Sequence, residues 1–409
     1  MSEALGPSDQ VIVVGAGLSG WRLIEGLRRE GFAGPVTLVG AEHHLPYDRP
    51  PLSKQVLTAK WPLERTSLAT PERVSELDVR TRLGDAAVSL DLAGRAVTLA
   101  SGERIDATHV VIATGVRARR LPFTADAAIH VLRTIDDLTA VLGELDAGLG
   151  DAPAVIIGGG FVGAEAATSL RARGQSVIVL EALERPLLGV VGPVVSAWLE
   201  PLAADAGVEL RSGQTVLDVA GARGDLLVTL GDGDAIRASI VIVAVGAEPN
   251  TSWLGDAGLD VTNGVLCDEY LQSAPGIYAM GDVARFRWVH EPFDEVVRIE
   301  HWQVANDHAS ALAGLLAGTT SAPVSVVPYF WSDQYGKKIQ SLGHPAPNDE
   351  VHLVAGSPEE GRWLALFSRG DVVSAAIALS SPRALMLTHS LVESHATLAA
   401  AIDLAPWAS

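Results

Sequence analysis

Cysteine is almost missing from this chain: Cys267 is the only one in 409 residues. A single thiol closes no intrachain disulfide and forms no dithiol pair, so no internal thiol relay can carry electrons. Lysine is scarce as well, present only at Lys54, Lys60, Lys337 and Lys338, with arginine supplying every other base. Thirty basic residues against 49 acidic ones leave a formal net charge of −19. Without clustered bases the chain matches neither nucleic acid nor an anionic membrane surface. No apolar run approaches the roughly 18 residues of a membrane span. The opening MSEALGPSDQ has neither the basic nor the apolar region of an export signal. The expectation is a cytoplasmic globular protein of two or three domains. No cluster of histidine, cysteine or carboxylate has metal or iron–sulfur spacing, and the adjacent His43 and His44 are poorly spaced for a metal.

Glycine is where the information lies. Gly15, Gly17 and Gly20 form G-x-G-x-x-G after the apolar run VIVV and before an amphipathic segment, and a second apolar run, VTLVG, closes a βαβ unit. In such a unit the first glycine makes the tight turn, the second admits a pyrophosphate to the backbone, and the third lets helix and strand meet closely. An acid near the end of the second strand holds the adenosine ribose, and Glu42 stands 22 residues after Gly20. The same arrangement recurs 143 residues downstream as Gly158, Gly160 and Gly163, closed by Glu181 after VIVL. That interval is too long for a solenoid repeat and right for two domains of one architecture. Ala182 follows Glu181 where an arginine could have held a 2′-phosphate. A carboxylate about 4 Å from a phosphate charge costs up to roughly 4 kcal/mol at an effective dielectric near 20, which favours NADH over NADPH; Arg185 is close enough in sequence to soften the preference. Two dinucleotide sites call for two dinucleotides with their redox rings face to face, as in hydride transfer from nicotinamide to flavin. FAD in one site and NADH in the other is the expectation.

The segments PYDRPPLSK (46–54), VIATG (111–115), LRT (132–134), GAEPN (246–250), AMGD (279–282) and FWSDQY (330–335), taken in this order, resemble the FAD-dependent NADH:ferredoxin reductases that serve oxygenases. The resemblance covers nearly the whole chain. It implies an α/β fold with two Rossmann-like dinucleotide-binding domains in a glutathione-reductase-like architecture, plus a C-terminal α+β domain. The implied boundaries are 1–118 with 248–324 for FAD, 119–247 for NAD and 325–409 for the C-terminal domain. It also implies roles. Arg49 would contact FAD phosphate, Lys54 would lie near the reactive edge of the isoalloxazine, and Glu165 would reach the nicotinamide side and pair with Lys54. Ser19, the Ala87 backbone and Arg133 would touch FAD, Asp282 would bond the ribityl chain, Gly246 would border the nicotinamide, and the Trp302 backbone would meet the flavin. Lys54, Glu165 and Trp302 are thus the residues expected at the reacting ring. A family aspartate aligns with Ala41, which shifts the ribose contact to Glu42.

The activity so implied is electron transfer from NADH through FAD to a [2Fe-2S] ferredoxin that feeds a P450 or Rieske-type oxygenase. Lys337 and Lys338, with Arg285 and Arg287, are candidates for a basic docking patch. An NADH oxidase, a rubredoxin or quinone reductase, and an apoptosis-inducing-factor-like redox sensor remain as alternatives, the last because His301 precedes Trp302 in IEHWQVA. Monomer and homodimer are both open.

Overall fold

The computed structural model describes residues 4–124, 128–290 and 293–408. The chain divides into two compact units: residues 1–48, 66–117 and 248–329, and residues 49–65, 118–247 and 330–409.

The first unit is built on a six-stranded sheet. Its strands run in the spatial order Gln272–Ala274, Ile277–Ala279, His109–Ile112, Val11–Val14, Val36–Gly40 and Val79–Leu83. Val11–Val14 pairs in parallel with Val36–Val39 on one side and with His109–Ile112 on the other. All four of its residues are buried, as expected of a strand covered on both faces. The helix Leu18–Arg29 covers the sheet with Trp21, Leu23, Ile24 and Leu27. Its other neighbour is the helix Trp302–Ala317, and a Cβ on Gly26 would stand 2.7 Å from Ala313 Cβ. Glycine therefore sets the close approach of the two helices. The antiparallel strands Ala87–Asp91, Ala96–Leu99 and Arg104–Asp106 form a separate small sheet.

The second unit repeats the plan. Five parallel strands lie in the order Glu209–Arg211, Val177–Leu180, Ala154–Ile157, Ile240–Val243 and Ile129–His130. The helix Phe161–Ala172 follows the central strand. The helix Ile135–Ala147 starts on a capping box, in which the Thr134 hydroxyl accepts from Asp137 N–H and the Asp137 carboxylate accepts from Thr134 N–H. The same unit holds a five-stranded antiparallel sheet in the order Tyr329–Gln334, Lys337–Gly343, Val372–Leu379, Arg362–Arg369 and Glu350–Ser357. Three of these strands carry the runs EVHLVAG, WLALFS and VVSAAIAL, the last two buried almost throughout. The helix Leu188–Leu199, kinked at Gly192 and Pro193, lays Val191, Val195 and Leu199 against Ile339, Trp363, Phe367 and Ile377 of this sheet. The observed class is the expected one: two Rossmann-like sheets and a C-terminal sheet flanked by short helices.

Candidate active site

In the first unit the fingerprint takes the form that its glycines require. Gly15 follows its strand at φ 128°, where a Cβ would lie 2.0 Å from the Ala113 carbonyl oxygen. A Cβ on Gly20 would lie 2.1 Å from the Gly15 carbonyl oxygen, so the helix rests directly on the turn. At Gly17, the N-cap of that helix, nothing lies within 4 Å of the missing Cβ. Packing thus fixes the outer two glycines, while the middle one faces the space through which a pyrophosphate would reach the helix N-terminus. These residues fit a dinucleotide.

Glu42, just past the strand Val36–Gly40, accepts a hydrogen bond of 2.5 Å from the Tyr47 hydroxyl. Buried Ser19 lies against Gly281, whose Cβ would stand 2.8 Å from Ser19 Oγ. The turn carrying Asp282 is therefore held beside the first fingerprint. Gly281 N–H donates to His308 Nδ1 at 3.3 Å, and complete burial pushes the His308 pKa down to about 3, keeping the ring a neutral acceptor. Ala87 opens its strand. Trp302 opens the helix Trp302–Ala317, and its indole N–H donates to Asp48 Oδ1 at 2.7 Å, which fixes the ring.

In the second unit the geometry recurs. Gly158 has φ 110° with a prospective Cβ 2.4 Å from the Ala244 carbonyl oxygen, that of Gly163 would sit 2.0 Å from the Gly158 carbonyl oxygen, and that of Gly160 meets nothing within 4 Å. Glu181 holds this loop: one carboxylate oxygen accepts Gly159 N–H and the other Leu183 N–H, both at 2.8 Å. Arg185 is turned to Glu200 at 3.3 Å. Gly246, at φ 95°, also faces open space, and its carbonyl accepts Arg119 N–H. Arg49, Lys54 and Arg133 belong to this unit. The Arg49 guanidinium donates to the Arg133 carbonyl at 2.9 Å, so the two arginines are brought together.

The most constrained part of the second unit surrounds Glu165, in the first turn of the helix Phe161–Ala172. Lys54, in the short π-helical turn Leu52–Val56, places Nζ 2.7 Å from Glu165 Oε2; the two side chains are 11% and 7% exposed. Ser53 Oγ donates to the same oxygen at 2.6 Å, and Ser332 Oγ donates to Oε1 at 2.7 Å. The expected Lys54–Glu165 pair is present and buried. Ser53 and Ser332 were not singled out in the sequence, although both stand inside the diagnostic segments PYDRPPLSK and FWSDQY.

The four candidate docking bases all have acceptors. Arg285 pairs with Asp260, Arg287 lies 4.0 Å from Glu269, Lys338 lies 3.5 Å from Asp333, and Lys337 donates to the Gly361 carbonyl. Their charge is partly neutralised within the chain. Cys267 is buried, and desolvation raises its pKa to about 12, so the thiol is unreactive. Among the described residues no three His, Cys, Asp or Glu side chains are grouped to hold a metal, and no helix is long and apolar enough to cross a membrane.

Two fingerprints of this geometry, each after a central strand with parallel neighbours, define an oxidoreductase of the double-dinucleotide class. The chain belongs to the pyridine nucleotide-disulphide oxidoreductase family, whose model matches residues 9–309, and a reductase C-terminal model matches residues 329–406. It is similar to a ferredoxin–NAD(P)+ reductase from Sphingomonas, with 36% identity over 95% of this chain and 94% of that one. It is also 36% identical to the ferredoxin–NAD+ reductase component of the p-cumate 2,3-dioxygenase system of Pseudomonas putida, over 83% of this chain and 82% of the relative. Among solved structures, the covalent putidaredoxin reductase–putidaredoxin complex superposes with a TM-score of 0.89 at 31% identity, covering 95% of this chain and 94% of the other.

Proposed function

We propose that this protein is a ferredoxin–NAD+ reductase that takes electrons from NADH through FAD and delivers them singly to a [2Fe-2S] ferredoxin serving an oxygenase. The observation that carries the reading is the doubled fingerprint, with its outer glycines seated on backbone carbonyls and its middle glycine open, at both Gly15–Gly20 and Gly158–Gly163. Bound FAD supplies the conversion of a two-electron donor into a one-electron donor.

The chain's own residues bind and orient. Gly15, Gly17, Gly20, Ser19, Glu42, Ala87 and Asp282 would hold FAD, with the Trp302 backbone at the ring; Arg49, Arg133 and Lys54 are assigned to the same cofactor. Gly158, Gly160, Gly163, Glu181 and Gly246 hold NADH. The Glu181 carboxylate at the end of the second strand would repel a nearby 2′-phosphate, and Arg185 is turned to Glu200; this favours NADH. Lys54 would present a positive charge to the reduced ring and stabilise negative charge there, a preorganised electrostatic role, with Glu165 holding the ammonium in place. With Cys267 buried and alone, the chain offers no thiol relay beyond the flavin. We assign residues 1–118 with 248–324 to FAD, 119–247 to NAD and 325–409 to the C-terminal domain, and place the protein in the cytoplasm, where NADH is supplied.

The test mixes flavin-loaded protein, NADH and cytochrome c, with and without a [2Fe-2S] ferredoxin. Strong ferredoxin-dependent stimulation is expected. Oxygen consumption without ferredoxin would point to an oxidase instead. Negligible turnover with a persistent long-wavelength band would point to a redox sensor.

A further inference from the structure

Glu165 is held by more than its lysine, and the additional donor comes from a distant part of the chain. The strand Tyr329–Gln334 and the turn after it touch one face of the helix Phe161–Ala172 at three places. The Phe330 ring packs edge-on to Phe161, with centroids 4.6 Å apart; Ser332 Oγ bonds Glu165; and Tyr335 N–H donates to Thr168 Oγ1 at 2.7 Å. Positions 161, 165 and 168 share a helix face, while 330 and 332 share a strand face. Ser53 Oγ in turn bonds Oε2, and the Ser53 carbonyl accepts from Ser169 Oγ at 2.6 Å. Ser332 is 1% exposed and Ser53 is also buried, so both hydroxyls are shielded from bulk solvent.

We propose that Ser332 and Ser53 are positioning residues for the reductive step: by fixing both oxygens of Glu165 they fix the Lys54 ammonium at the flavin. This rests on the assignment of Lys54 and Glu165 to the flavin. A carboxylate bonded through one oxygen only can swing about its terminal torsion, which is broad and lacks sharp staggered wells. With Ser53 and Lys54 both on Oε2, Ser332 is the donor on Oε1 that opposes this rotation. Residues 329–406, which resemble a reductase C-terminal region, therefore contribute a group that acts through Glu165 on the electrostatics of Lys54.

The experiment uses flavin-loaded protein and the variants Ser332→Ala, Ser332→Thr, Ser53→Ala and Lys54→Met. It reads the flavin midpoint potential by dye titration and the rate of flavin reduction by NADH in anaerobic stopped flow. Ser332→Ala is expected to weaken the stabilisation of reduced flavin about tenfold, a fall of about 30 mV for a two-electron couple, and to slow reduction by a similar factor. Ser332→Thr, which keeps the hydroxyl, is expected to stay within about twofold of the parent in rate. A merely structural serine would move stability without moving the potential. Potential and rate unchanged in Ser332→Ala, with Lys54→Met altering both, would overturn the positioning role alone. If Lys54→Met also changes neither, the assignment of Lys54 to the flavin fails with it. Ser53→Ala leaves Lys54 on Oε2 and Ser332 on Oε1, and is expected to move both readouts in the same direction but by less; should Ser332→Ala not fold, Ser332→Cys, which weakens the donor on Oε1, carries the same expectation in direction and the same refutation.

Discussion

Replacing Lys54 with methionine removes one partner of a buried ion pair and keeps the side-chain volume. Nζ lies 2.7 Å from Glu165 Oε2, with both side chains nearly excluded from solvent. At an effective dielectric near 20 the direct attraction is about 6 kcal/mol, before the cost of desolvating both ions. The measurable quantity is smaller: stranding one charge of such a pair costs about 3–5 kcal/mol. Ser53 and Ser332 still donate to the stranded carboxylate, which places the expected loss near the lower end, about 3 kcal/mol. That loss corresponds to roughly a hundredfold rise in local opening. Hydrogen exchange followed by mass spectrometry should therefore show protection in the helix Phe161–Ala172 falling by about two orders of magnitude. The double variant Lys54→Met/Glu165→Gln leaves no stranded charge and should recover most of it. The same single variant should slow flavin reduction by NADH. Unchanged protection in Lys54→Met, or a double variant weaker than the single one, would refute the reasoning.

Further expectations follow from particular residues. Gly160→Ala introduces a Cβ with nothing within 4 Å, so the melting temperature should hold while the KM for NADH rises at least about tenfold if a dinucleotide approaches there. Glu181→Gln removes the charge that disfavours a 2′-phosphate and should narrow the NADH-over-NADPH ratio of kcat/KM by about tenfold or more. Cys267, its pKa raised to about 12 by burial, should resist iodoacetamide in the native protein even at mildly alkaline pH, and Cys267→Ala should retain full activity. Burial depresses the His308 pKa from 6.5 to about 3, so between these values the unfolded chain binds a proton that the folded chain does not. Stability should accordingly fall on acidification through that window, by up to about 1.4 kcal/mol per pH unit from this group. His308→Asn, which keeps an acceptor for Gly281 N–H, should flatten the acid limb of the urea midpoint.

What could be read from the sequence was whatever depended on local backbone geometry. The two fingerprints were legible because in each the first glycine needs a positive φ, the third answers to a carbonyl five residues earlier and the middle one is placed by the spacing between them, and the strands around them are short continuous apolar runs. Two strands of the C-terminal sheet, Arg362–Arg369 and Val372–Leu379, are likewise apolar runs buried almost throughout. The strands Tyr329–Gln334 and Lys337–Gly343 were not legible, because their two-residue connection is Tyr335-Gly336, both at positive φ, in place of the Asn-Gly or Asp-Gly pairs that mark hairpins. The Lys54–Glu165 pair was expected only through the family resemblance, since its partners are 111 residues apart. Ser332 reaches Glu165 across 167 residues and Ser53 across 112; nothing local in either segment marks the serine as a donor to a buried carboxylate. The surroundings of the four candidate docking bases were out of reach for a related reason: the bases can be counted in the sequence, but their acceptors Asp260, Glu269, Asp333 and the Gly361 carbonyl become visible only in the fold.

The central claim, that one chain grips FAD and NADH so that electrons pass from the second to the first, is tested most directly by anaerobic addition of NADH to the purified protein. The account predicts a yellow protein whose visible flavin absorption bleaches promptly. A protein that retains no flavin when supplied with FAD, or one whose yellow colour persists in excess NADH, would contradict it.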